Sequence, residues 1–362
     1  MFYTAIVISL LLFNQAVSAQ QFNCKSIYNN TDVTDGLQGA IDNGYKTIII
    51  PYMGPDKIWI IRPIALKSNV HISIEPGVII QAKDNSVLPD EPLIMIKNVS
   101  NVVISGGKGS TIQMPIQEYH EGEWRNAISI LGSQNVTIED LNIEKSGGDG
   151  IYISSTDQMD YSTNVNINNI LFYGNARNGI SVISVNGLAI SNCKIEDTGL
   201  FNTQGLAAHG PWAGIDFEPN TSKQRLSNIT VENCSFSSNR RYGILLALNN
   251  MQKTSLPVGL ELKNINVKNG LACIGFTDQK GTVGGEVAVS NINGVALKVD
   301  ALNFFNWYDK DLKFSLNGIR LARDSKRIPL LGFSNRTTEA SLDLVNTDKK
   351  LSKYIFTGKL PK

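Results

Sequence analysis

Gly148-Asp-Gly-Ile-Tyr-Ile153 sets a local pattern that returns as Arg177-Asn-Gly-Ile-Ser-Val182, Trp212-Ala-Gly-Ile-Asp-Phe217 and Arg241-Tyr-Gly-Ile-Leu-Leu246, with Arg125-Asn-Ala-Ile-Ser-Ile130 ahead of it. Each copy reads as a short strand entered through a turn. A small residue at Ala127, Gly150, Gly179, Gly214 and Gly243 is followed every time by isoleucine, at intervals of 23, 29, 35 and 29 residues. Such intervals belong to units stacked along an axis, whereas a doubly wound sheet would place helical stretches between its strands.

A second set of segments keeps the same phase. Ile138-Glu-Asp-Leu141, Ile167-Asn-Asn-Ile170, Ile190-Ser-Asn-Cys193, Val231-Glu-Asn-Cys234, Leu262-Lys-Asn-Ile265 and Val289-Ser-Asn-Ile292 align without gaps. The column Asp140, Asn169, Asn192, Asn233, Asn264, Asn291 is expected at one turn of every coil, where a short polar side chain satisfies the backbone and tolerates left-handed geometry. The residue after it, from Leu141 to Ile292, is expected in the core. Two ladders in phase predict an all-β, single-domain parallel β-helix, a solenoid with an N-terminal cap.

The 362-residue chain opens on Met1–Ala19, whose apolar centre and closing Val17-Ser18-Ala19 read as a secretory signal peptide. A secreted or periplasmic, soluble protein follows from that reading. Residues 20–60 are expected to form the cap and first strand, with helical spacing from Thr34 to Gly44 and a buried strand at Lys46–Pro51. Residues 61–300 would be the coils, and 301–362 irregular last coils and a C-terminal cap. A net charge of +1 with 18% charged residues argues against a nucleic-acid or membrane-surface partner. A monomer acting on a polysaccharide is the expected state. Of four cysteines, Cys193 and Cys234 hold equivalent ladder positions, so they are neighbours either as reduced core thiols or as a disulfide. Asn98-Val-Ser100, Asn135-Val-Thr137 and Asn228-Ile-Thr230 match the glycosylation pattern but fall inside the repeat.

The segments Asp35-Gly-Leu-Gln-Gly-Ala-Ile-Asp42, Thr47-Ile-Ile-Ile-Pro51, Pro63-Ile-Ala-Leu-Lys-Ser-Asn-Val-His-Ile72 and Glu75-Pro-Gly-Val-Ile79, together with the coils up to about Val299, resemble the pectate-lyase and polygalacturonase-like superfamily of right-handed parallel β-helices. That resemblance implies a right-handed helix and a carbohydrate-active protein. It does not choose among hydrolase, lyase, epimerase and depolymerase. The Gly-His-Gly and Arg-Ile-Lys segments of polygalacturonases and the Asp-Pro-His segment of C5 epimerases have no match.

Strand alternation puts Ser129, Tyr152, Ser181, Asp216 and Leu245 in one outward column, and Ser154, Glu218 and Ala247 in another. Asp216 and Glu218 thus share one face. Two such carboxylates divide acid and base roles when one is the more desolvated; the alternatives are solvated surface acids and, after them, a calcium site. No other metal and no cofactor is expected. Asp149, in a Gly-rich turn, is a third candidate catalytic acid or simply turn chemistry, and it resembles part of the Gly-Asp-Asp segment of the hydrolase branch. Arg125, Arg177, Trp212 and Arg241 line up at the turn before the strand, with Arg240 beside them. Arginine forks there would bind a sugar carboxylate or sulfate, or pair with the acids, while Trp212, Tyr152, Tyr242 and Trp124 offer flat faces for a pyranose. His209, in the long insertion Gly199–Pro211, and His120 are further groove candidates.

The leading expectation is a glycoside hydrolase using Asp216, Glu218 and Asp149. The alternatives are a lyase working through tyrosine and arginine, and a glycan-binding solenoid without turnover.

Overall fold

A computed structural model describes residues 20–119, 123–199, 210–278, 283–307, 311–322, 331–334, 343–345 and 355–356. The chain winds into a parallel β-helix. One continuous sheet has eleven strands, among them Ile94–Lys97, Ile128–Leu131, Ile151–Ser154, Ile180–Val182, Ile215–Phe217, Tyr242–Ala247, Ala272–Asp278 and Leu302–Trp307, each bonded to the next coil. The remaining strands form a nineteen-stranded sheet that wraps the other sides.

The aligned isoleucines are direct cross-strand partners: Ile128 pairs with Ile151, then Ile180, Ile215 and Ile244. All five are fully buried, and each such side chain stabilises the fold by roughly 1.5–3 kcal/mol relative to exposure. The glycine before them is dictated by packing. A Cβ on Gly214 would run into the Phe236 ring and lie 2.6 Å from the Gly243 carbonyl oxygen, and a carbonyl in a ladder cannot step aside.

The polar turn column adopts the expected geometry. Asp140, Asn169, Asn192, Asn233, Asn264 and Asn291 have φ between 54° and 59°, which short polar side chains tolerate best. Their amides link coil to coil, as in Asn169 Nδ2 to Asp140 Oδ1 (2.7 Å) and Asn264 Nδ2 to Asn233 Oδ1 (2.9 Å). A second ladder runs through Asn69, Asn101, Asn135 and Asn164, with amide bonds of 2.8, 3.0 and 3.2 Å. Asn135 of the glycosylation pattern is one of its rungs.

Helix Thr34–Asp42 buries Leu37, Ala40 and Ile41 and ends before Gly44 at φ 76°. Just ahead of the helix, Asp32 Oδ1 accepts from the Thr34 amide. From this helix the Gln38 amide bonds both backbone groups of Ala65, at 3.0 Å each, so the end strand of the eleven-stranded sheet, Ile64–Ala65, does not leave its edge open there.

Pairing continues past residue 300. Leu302 aligns with Ile274, and strand Leu312–Leu321 pairs along its length with Gly285–Val295, so regular coils run beyond the boundary the sequence indicated. All four cysteines are buried and free.

The two sheets differ in how their outer faces are covered. Strand Ser162–Asn168 alternates between buried and partly exposed residues, whereas Ile151–Ser154, Ile180–Val182, Ile215–Phe217 and Tyr242–Ala247 are buried on both faces. The column Ser129, Tyr152, Ser181, Asp216, Leu245 keeps the expected register, yet none of its members is more than 7% exposed. It is a covered, mostly polar layer and not the solvent-facing groove floor that alternation alone predicts.

Candidate active site

Two residues before the isoleucine column lies a buried spine. Asn126 Oδ1 accepts from the Asp149 amide (2.8 Å), Asp149 Oδ1 from the Asn178 amide (3.0 Å), and Asn178 Oδ1 from the Ala213 amide (2.8 Å). Asn126 and Asn178 each donate their side-chain N–H to a serine hydroxyl, Ser129 (3.2 Å) and Ser181 (3.0 Å). Asp149 is therefore an acid in a position its neighbours fill with an amide. Its spare oxygen, Oδ2, takes Arg177 Nη1 at 3.0 Å. Burial pushes the Asp149 carboxyl up, while Arg177, the Ser181 hydroxyl and the Asn178 amide pull it back down.

Arg177 is the hub. Besides Asp149, its Nε lies 3.7 Å from Glu123 Oε2 and its Nη2 3.9 Å from Glu218 Oε2. Burial works against its charge, but Asp149, Asp216, Glu123 and Glu218 together outweigh it and raise its pKa. Glu123 and Glu218 are the solvent-reachable members, each 35% exposed.

Asp216 is fully buried, and neither of its carboxyl oxygens meets a hydrogen-bond donor. It faces the Glu218 carboxylate. Desolvation is the largest cause that pushes Asp216 well above the ordinary carboxylate range; the charge and side-chain contact of Glu218 and the charge of Asp149 add to it, against Arg177.

Aromatic and basic side chains lie on either side. Trp124, 39% exposed, stands edge-on to Tyr152 with ring centres 5.3 Å apart. Burial pushes the Tyr152 hydroxyl up to about 12. On the other side Trp212 lies under two exposed guanidinium groups, with Arg240 Cζ 3.9 Å and Arg241 Cζ 5.5 Å from its ring.

Two residues expected in the binding edge are committed elsewhere. Arg125 is buried, its Nε donating to the Val87 carbonyl (3.0 Å) and its guanidinium over Tyr119. Tyr242 is buried and stacks on Phe305. Packing against chain that is distant in sequence claims both. His209 and His120 lie outside the described residues. Glu123 was not singled out from the sequence; it stands in the segment leading into its coil, where no periodic position marks it. Ser181 was legible only as a column member.

Among the described residues no three of His, Cys, Asp or Glu come together so as to hold a metal ion, and no described helix is long and apolar enough to cross a membrane. A concavity of about 550 Å³ lies along the asparagine turn, lined by Gly106, Lys108, Asp140, Asn169 and Lys194 among others. The acidic cluster takes no part in it; electrostatics and buried, donor-free oxygens mark the site better than depth does.

Stacked parallel coils of this kind define a β-solenoid. Residues 92–298 match the family described as right handed beta helix region, and the chain belongs to it. Two proteins of Bacillus subtilis (strain 168) are similar in sequence: the SPbeta prophage-derived YorA, 27% identical over 195 residues and 49% of this chain, and YclG, 28% identical over 253 residues and 60% of this chain. The chain spans only 32% and 42% of their lengths. Similar solved structures include an exopolygalacturonase from Thermotoga maritima (14% identity, TM-score 0.60, covering 90% of this chain and 91% of that one). A 1,3-α-1,4-β-D-galactose-4-sulfate-3,6-anhydro-D-galactose-2-sulfate 4 galactohydrolase gives 13% identity and a TM-score of 0.64, over 90% of each chain. PfbA, a surface adhesin of Streptococcus pneumoniae, gives 13% identity and a TM-score of 0.55, over 90% of this chain and 92% of that one. At these identities the likeness is one of fold.

Proposed function

We propose that the protein is a polysaccharide-degrading glycoside hydrolase whose acid function is the Asp216–Glu218 pair. The observation that carries this reading is the donor-free, fully buried Asp216 carboxyl set against a partly exposed Glu218. A proton stored on Asp216 is passed to Glu218, which reaches the glycosidic oxygen; general acid catalysis of this kind requires a carboxyl that stays protonated near neutrality. Glu123, the other exposed carboxylate on Arg177, is placed to activate water. Arg177 holds the two in position, and Asp149 holds Arg177. Asp149 is thus a positioning residue in this reading, since both its oxygens are engaged.

Trp124 with Tyr152, and Trp212 with Arg240 and Arg241, would hold sugars on either side of the cleaved bond. Two features weigh against a lyase using these groups. Arg177 is already paired with Asp149, and Tyr152 is buried with its hydroxyl at about 12, a poor base. The reading also places the working protein outside the cytosol, in keeping with the apolar Met1–Ala19 segment.

The test is a panel of neutral and acidic polysaccharides incubated with the purified chain, following reducing ends together with the ultraviolet absorbance of unsaturated sugars. New reducing ends without absorbance, lost in Glu218→Gln and Asp216→Asn, are expected. Absorbance would establish a lyase instead, and glycan binding without any new ends would establish a binding solenoid.

A further inference from the structure

Cys193 and Cys234 occupy the same position in adjacent coils, one residue after Asn192 and Asn233 of the turn column. The strands on either side fix the register, with Ser191 opposite Glu232 and Lys194 opposite Ser235. Each thiol is 1% exposed. Each points the same way, donating at 3.2 Å to the carbonyl two residues before it, Ser191 and Glu232, and at 3.9 Å to a carbonyl of the preceding coil, Ile167 and Ile190. Neighbouring parallel strands lie about 4.8 Å apart, inside the roughly 4.4–6.8 Å span that disulfides bridge between Cα atoms. Leu141, Ile170, Ile265 and Ile292 fill the equivalent position in other coils, so a pair of thiols here is not demanded by the repeat.

The segment between the two cysteines contains Trp212, Asp216 and Glu218, and the longest interval of the glycine ladder. We propose that Cys193 and Cys234 are an oxidation site: their disulfide fastens together the two ends of the coil that carries the acidic pair. The bond would close a loop of roughly 40 residues, long enough for cross-linking to remove substantial freedom from the unfolded chain.

The oxidant is a small-molecule disulfide such as oxidised glutathione, or a protein disulfide of the same chemistry. The Cys234 thiolate attacks one glutathione sulfur and expels the other as a thiolate. The Cys193 thiolate then attacks the Cys234 sulfur and expels the second glutathione. Two protein thiols are oxidised, one glutathione disulfide is reduced, and the two protons leave on the glutathione thiols. The order with Cys193 attacking first gives the same product. Burial of both sulfurs sets the step during folding, before this coil closes.

Refolding the full chain in a mixture of oxidised and reduced glutathione tests the proposal. The product is denatured without reductant, alkylated and examined by mass spectrometry. Cys24 and Cys273 should be alkylated, and a peptide pair joined through Cys193 and Cys234 should be lighter than its reduced form by two hydrogens. Alkylation at all four cysteines, or a link to Cys24 or Cys273, overturns the proposal. Cys193→Ser refolded in parallel should leave every remaining cysteine open to alkylation; an intramolecular link in that variant would also overturn it. The oxidised chain should melt at a higher temperature than the same chain after reduction, and equal melting would overturn the fastening role.

Discussion

Arg177 Nη1 lies 3.0 Å from Asp149 Oδ2, and that contact ties a structural ladder to the acidic cluster. Asp149 Oδ1 serves the ladder as an asparagine would, and Oδ2 adds the charge that fixes Arg177. The two duties separate by mutation. Asp149→Asn should keep the ladder and lose the charge, costing less than the roughly 3–5 kcal/mol of a fully orphaned buried ion, because Glu123 and Glu218 still flank Arg177. Asp149→Ala should cost more, since the Asn178 amide is then also left without an acceptor. Urea unfolding at neutral pH ranks the two; equal losses would mean that the ladder bond is worth nothing.

Asp216 makes stability depend on pH with a definite sign. Its folded pKa is raised above the ordinary value of 3.8, burial being the largest cause and Glu218 the next. The folded state therefore holds a proton that the unfolded state releases. The contribution is fully present below about pH 4 and is lost as pH rises through the folded value. Asp216→Asn, neutral at every pH and able to donate to Glu218, should melt higher than the wild type in mildly alkaline buffer and lose the advantage near pH 3. A melting profile parallel to that of the wild type would contradict a raised Asp216 pKa.

Much of this is legible in the sequence. A Gly-Ile step at intervals that only stacked coils allow fixed the register of Ile151, Ile180, Ile215 and Ile244, and with it the placing of Asp216 and Glu218 on one face. The turn asparagines announced their own left-handed backbone. What could not be read was cover. Whether an outward column meets water depends on segments between the coils, which carry no period, and so Asp216 is buried where alternation pointed it to solvent. Arg125 is claimed by Val87, 38 residues earlier, through a contact with no local signature. Glu123 reaches Arg177 from such a segment. The later coils hid for another reason: Cys273 stands where the preceding coils have glycine, and Leu302 replaces the isoleucine after Ala301, so the Gly-Ile marker is lost while the apolar column of Ile274 and Leu302 runs on.

Asp300 carries the same kind of pH signature away from the acidic cluster. It is 1% exposed, accepts from Asn303 Nδ2 at 2.6 Å through Oδ2, and has no donor at Oδ1. Burial lifts its pKa from 3.8 to about 6, against the Asn303 bond. Ionising it above pH 6 in the folded state costs up to about 3 kcal/mol at 1.36 kcal/mol per unit. Asp300→Asn should stabilise the chain at pH 8, keep the acceptor that Asn303 needs, and make little difference at pH 3, where aspartate is neutral in both states. Denaturant melts at the two pH values decide it; a variant less stable at pH 8 would show that the Asp300 charge is held by a partner.

Arg240 and Arg241 share one indole, and both guanidinium groups are exposed at the coil next to Glu218. A planar fork held against a ring loses little freedom when it grips a planar or tetrahedral anion. Under the proposed function the sugar beside the cleaved bond should therefore carry a carboxylate or a sulfate. Binding is best measured in the Glu218→Gln background, where turnover does not interfere, by electrophoresis through gels containing polygalacturonate, a sulfated galactan or a neutral glucan. Retardation should be confined to the charged gels, weaken as salt is raised, and fall about 10- to 100-fold in affinity in the Arg240→Ala, Arg241→Ala double variant, the loss of charge-assisted bonds worth roughly 1.5–3 kcal/mol. The carboxylated and sulfated gels separate the two anions. Equal retardation by the neutral glucan would remove charge recognition while leaving the assignment of the acidic pair intact, because the two rest on different side chains.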